Sequence, residues 1–195
     1  MTLTGPLAVF KQAHPNVEIE LHWSPADDMA RRLRAQEVDL CVASQPIHAD
    51  GLEWAPLFDE AVGLAVPLGH RLAGRTSVMI EELADEPFVT ARKGHWIRRL
   101  LDRLFAARGL TPRIVCESDE HSAIADLIST GLGVGLVPAI ARRSATQAPG
   151  AWIAVDSADC RRQVVLYWGA GSHLSAAARL MRTTVTGWEW GVPRG

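Results

Sequence analysis

The chain has 195 residues, 48% of them hydrophobic, which is enough to bury one or two compact cores. A net charge of −2 and a pI near 6.4 exclude a surface built to neutralise a phosphate backbone, so DNA binding by this chain alone is not expected. The three cysteines, Cys41, Cys116 and Cys160, are odd in number and far apart; they read as free thiols in a reducing cytoplasm. No close pair of His or Cys has metal-ligand spacing, and neither metal nor cofactor is expected. No leader opens the chain and no apolar run reaches the roughly 20 residues of a membrane helix, which points to a soluble, cytoplasmic protein.

In chain order, GPLAVFKQAHP puts Leu7, Phe10 and Ala13 on one helical stripe stopped by Pro15. NVEIELHW follows, with Val17, Ile19, Leu21 and Trp23 alternating against Glu18, Glu20 and His22, the period of a strand with one buried face. SPADDMARRLRAQ opens with Ser24 at the N-cap, Pro25 at the first helical position and Asp27 placed for a capping box. VDLCVAS and AVGLAVP are continuous apolar runs, the pattern of doubly buried parallel strands. The polar stretch 68–77 then reads as a crossing to a second lobe, with a boundary near residue 69.

The second lobe repeats the rhythm. EPFVTA is a predicted strand, and HWIRRLLDRLFAARG a helix with Trp96, Leu100, Leu104 and Phe105 inside, Arg98, Arg99 and Arg103 outside, and Gly109 at its end. RIVCES, DEHSAIADLIST and VGLVP continue as strand, helix and strand. RQVVLYWG is a further strand, and a last helix turns Ala177, Leu180, Met181, Thr184, Val185 and Trp188 to one side. This alternation predicts an α/β protein with mainly parallel sheets.

ISTGLGVGLVP holds three glycines in five positions, yet it is not a nucleotide loop. A dinucleotide fingerprint follows a strand and opens a helix, whereas these glycines close a helix and enter a strand. Gly131 sits where a helix-ending residue with positive φ belongs.

Taken together, HPNVEIEL, VDLCVAS, LFDEAVGLAVPLGHRLA, ELADEPFV and LISTGLGVGLVP resemble, in order, the landmarks of the effector-binding part of LysR-type transcriptional regulators. The resemblance implies a two-lobed, periplasmic-binding-protein-like fold of type II, each lobe a mainly parallel sheet flanked by helices. Lobe I would comprise residues 1–68 with 164–195, and lobe II residues 69–163. A small metabolite would bind in the cleft between them and control transcription. Family members pair as homodimers or tetramers and reach DNA through an N-terminal winged helix-turn-helix. Neither that domain nor the family's opening x-L-x-I-G strand, with its ligand-contacting turn, is seen in this sequence. A stand-alone solute-binding protein of a transport system would use the same fold, and the missing leader weighs against it.

Ligands of open α/β sheets bind at the carboxyl ends of strands, beside helix N-termini. That rule selects Ser24, either a helix cap or a ligand contact, and Ser44, Gln45 and Pro46 after a buried strand, positions that in the family often face the effector. Thr90, Arg92, Lys93, Gly94 and His95 set two cations beside a helix start, a field suited to a carboxylate. Trp96 reads as core. Ser118 and His121, with Asp119 and Glu120, lead into the next helix. Pairing Ser118 or Ser122 with His121 as nucleophile and base fails, because neighbours at a helix start do not face each other and no orienting acid is indicated; an enzyme is not expected.

Overall fold

The computed structural model describes residues 3–24, 26–44, 50–141, 150–171 and 174–191, without the side chains of residues 26, 27, 121 and 122. The chain forms two compact units, Met1–Asp59 with Gln163–Gly191, and Glu60–Arg162. The expected division sets the first crossing after the strand, at 68/69; here the chain passes from one unit to the other inside a strand, at Asp59 and Glu60.

In the first unit α1 (Thr4–Ala13) buries Pro6 and Phe10, and Lys11 Nζ donates to the carbonyls of Pro15 at 2.9 Å and Val17 at 2.6 Å, tying down the chain after the helix. The predicted strand NVEIELHW does not form: residues 17–24 are irregular, with Leu21 59% and Trp23 86% exposed. Alternation favours an extended chain, but a strand also needs a neighbour to complete its backbone hydrogen bonds, and among the described residues none runs beside this one. Next, α2 (Ala26–Arg34) packs Met29 and Leu33 onto Cys41, Ala43, Val165 and Tyr167. Strand β1 (Cys41–Ser44) pairs antiparallel with β8 (Arg161–Gly169), Cys41 opposite Tyr167 and Ser44 opposite Val164. It buries Cys41 and Ala43 while Val42 and Ser44 stay half-exposed, so VDLCVAS yields a short edge strand with one buried face. The last helix, α5 (Ala176–Thr186), packs on α1 and buries Ala178 and Val185; Leu180, expected inside, is 46% exposed.

The second unit is built round the end of β2 (Leu52–Val66). Residues 62–66 pair antiparallel with β6 (Gly135–Pro138) on one side and with β7 (Ala151–Val155) on the other, and β3 (Ser77–Val78) runs parallel to β7. Strands β4 (Pro87–Ala91) and β5 (Arg113–Ser118) are parallel, with an irregularity between Phe88 and Val89. Val134 bridges to β4: Val89 N–H donates to Val134 O and Val134 N–H to Pro87 O, both at 2.8 Å. The sheet is therefore mixed, parallel where a helix intervenes and antiparallel at the strands that cross between units. Helices α3 (Trp96–Ala106) and α4 (His121–Ser129) cover it, with Phe88 and Phe105 edge-to-face at 5.3 Å in the core. Arg98, read from the sequence as outward-facing, is 7% exposed, held by Asp102 at 3.0 Å and by Glu117.

Candidate functional site

Because β4 and β5 are parallel neighbours, their carboxyl ends lie side by side, Ala91 opposite Ser118. Each is followed at once by a helix start, α3 after β4 and α4 after β5. This edge of the second unit therefore gathers two strand ends and the positive ends of two helix dipoles.

Of the expected contacts, the structure brings Thr90, Arg92, Lys93, His95 and Ser118 to this edge. Thr90 is 4% exposed. Gly94 turns the loop at φ +91°, and Arg99 Nη1 donates to its carbonyl at 2.5 Å, fixing the turn. His95 is the N-cap of α3: its Nδ1 accepts from Ile97 N–H at 3.4 Å, which assigns the proton to the other ring nitrogen in the neutral imidazole. Arg92 reaches across to Asp119 at 3.3 Å, an exposed pair joining the two loops. The Lys93 side chain is exposed. Ser118 Oγ accepts from Glu120 N–H at 3.1 Å and donates to Glu120 O at 3.3 Å, shaping the turn into α4. His121 is the first residue of α4, and its side chain lies outside the described set.

The remaining expected contacts belong to the first unit. Ser24 Oγ accepts from Arg32 Nη1 at 3.3 Å, and Ser44 ends β1 half-buried. Gln45 and Pro46 lie outside the described residues, as do Pro25 and the Asp27 side chain on which the capping box depends.

Sequence reasoning missed the layer beneath the loops. Glu60 and Arg162, 1% and 5% exposed, form a buried ion pair with Arg162 Nε donating to Glu60 Oε1 at 2.5 Å, and Glu60 Oε2 accepts Ile140 N–H at 2.7 Å. The Arg162 guanidinium lies over the Trp96 ring at 4.8 Å, beneath the start of α3. Burial pulls the Arg162 pKa down and the Glu60 carboxylate opposes it. The available signal was an oppositely charged residue at the head of each of two apolar runs, AVGLAV and VVLYW.

Arg92 and Lys93, set beside two helix starts with the Ser118 hydroxyl at the end of β5, are groups whose charge can attract an anion. Among the described residues no group of three or more His, Cys, Asp or Glu could hold a metal ion, and no helix is long and apolar enough to cross a membrane.

Comparison with known proteins matches residues 2–188 to a family described as the LysR substrate binding domain. An uncharacterized HTH-type transcriptional regulator of Bacillus subtilis, YybE, is 28% identical over 90% of this chain and 60% of its own length. The RuBisCO operon transcriptional regulator of Allochromatium vinosum is 27% identical over 92% of this chain and 60% of its own. The chain thus spans about 60% of these regulators. The regulatory domain of Synechocystis CcmR, solved in complex with 2-PG, shares the fold at a TM-score of 0.85 and 24% identity, covering 93% of this chain and 88% of that one.

Proposed function

This chain belongs to the LysR substrate binding domain family, and from that membership we propose that it is the effector-sensing part of a transcriptional regulator, taking a small anionic metabolite at the β4–β5 edge. The observation that carries the chemistry is the convergence of Arg92, Lys93, Thr90 and Ser118 on the starts of α3 and α4. A carboxylate arriving there displaces Asp119 from Arg92 and is drawn by the positive ends of the α3 and α4 dipoles. Because β4 and α3 share the buried core of this unit, an anion that binds one arrangement of the loops more tightly than another shifts the population between them. The named relatives are regulators, which favours sensing over solute transport. On this reading the chain works as a homodimer or tetramer in the cytoplasm and reaches DNA through a separate domain.

The test is calorimetric titration of the chain with 2-PG and with short aliphatic and aromatic carboxylates. Binding by at least one, weakened about tenfold in Arg92→Ala or Lys93→Ala, is expected. Since Arg92 and Asp119 are both largely exposed, Arg92→Ala should move stability by less than about 0.5 kcal/mol, separating loss of binding from loss of fold. Binding that both variants leave intact would sink the reading.

A further inference from the structure

The first unit has a solvent-open cavity of about 240 Å³ at the end of β8. Trp168 forms one wall, and its indole N–H donates to Glu53 Oε2 at 2.7 Å, which fixes the ring against the start of β2. Arg182 lies over that ring at 4.8 Å from its centroid. Arg179, three residues earlier on α5 and so on the same side of the helix, also lines the cavity, its Nη1 donating to Leu174 O at 2.5 Å. Leu174, itself buried, supplies an apolar wall. Both guanidinium heads are thus held, one by stacking and one by a backbone carbonyl, so little side-chain freedom is left to lose on binding. Among the described lining residues two guanidinium groups accompany one carboxylate, a surplus of one positive charge.

We propose that this cavity is a second small-molecule site, specific for an organic monocarboxylate. The carboxylate bridges Arg179 and Arg182 through their remaining N–H groups, and the apolar body rests on Leu174 and the edge of Trp168. The volume lies below the roughly 300–1,000 Å³ of sites for drug-sized ligands, which sets the ligand at the size of one substituted ring or a short chain. The site is independent of the β4–β5 edge and does not rest on the reading given for it.

The experiment is a titration of the whole 195-residue chain with benzoate, followed by the indole N–H signal of Trp168 in a nitrogen–proton correlation spectrum. Trp168→Phe assigns that signal among the seven tryptophans. Benzoate is expected to shift it saturably at millimolar concentration, and Arg179→Gln and Arg182→Gln each to weaken the titration about tenfold. Benzyl alcohol, uncharged and of similar shape, should leave the signal in place, and Lys93→Ala should leave the benzoate titration unmoved. If Arg182→Gln disturbs the spectrum through loss of stacking, Arg179→Gln decides the matter. Absence of a saturable shift, an equal response to benzyl alcohol, or a titration indifferent to the arginines overturns the proposal.

Discussion

Gly131 and Gly133 sit two positions apart and answer to different constraints. Gly131 has φ +87° and nothing within 4 Å of where a Cβ would stand, so Gly131→Ala meets only left-handed backbone strain, about 1–2 kcal/mol. Gly133 is crowded: a Cβ would lie 2.4 Å from the carbonyl oxygen of Pro87, on the strand to which Val134 bridges. Gly133→Ala should therefore cost more, about 3 kcal/mol, and urea denaturation of the two variants will show whether the order is right. The cysteines divide in a similar way. Burial pushes the Cys41 and Cys160 thiols up to about 12, whereas Cys116 is only half-buried on β5. Alkylation of the native chain at neutral pH followed by peptide mapping should label Cys116 first, and equal labelling of all three would contradict this packing.

Segments of the chain show where local pattern is enough. The helix around Leu100, Leu104 and Phe105 was readable because an apolar stripe of the helical period needs only one surface to pack on. Arg98 escaped that reading because its partners lie on both its own helix and β5, Asp102 one turn on and Glu117 across the sheet. The motif PLGHRLA, prominent in the family resemblance, proves to be a tie between segments: His70 Nε2 meets Glu86 Oε2 at 3.1 Å and Arg71 Nε donates to Glu86 Oε1 at 2.9 Å. A short 3-10 helix, Ile80–Leu83, lies between them, and the Met79 N–H donates to Glu82 Oε2 at 2.9 Å. That hydrogen bond, with Arg75 beside it, holds the Glu82 carboxyl below its ordinary 4.5. A depressed carboxylate stabilises the fold fully above its unfolded value, and the contribution is lost as pH falls through the folded value. Glu82→Gln should thus lower the urea midpoint at neutral pH and flatten its decline below about pH 4.5. An unchanged acid slope would show that this cap contributes nothing.

Among the described residues, Glu60 and Arg162 are the first and last of the second unit, on the two strands that carry the chain between units. Removing one partner strands a buried charge, so Glu60→Ala should cost about 3–5 kcal/mol; Glu60→Leu with Arg162→Met removes both charges and should cost much less. Equal losses in the single and double variants would mean that packing, not charge, is what the pair supplies. The ordered alternation of helix and strand, the helix-to-strand glycine turn and the family landmarks were all legible along the chain, because each depends on spacing between near neighbours. The cations at 92 and 93 were legible too, since a strand end followed by a helix start is a local event. The unpaired run at 17–24, the antiparallel pairing of β1 with β8, the buried pair of Glu60 with Arg162 and the cavity at Trp168 were not. Each depends on which distant segment comes alongside: a strand is completed by hydrogen bonds to another strand, and a charge is buried only when its partner arrives from elsewhere in the chain. Periodicity records which face of a segment avoids water, and it carries no information about what will stand on the other side.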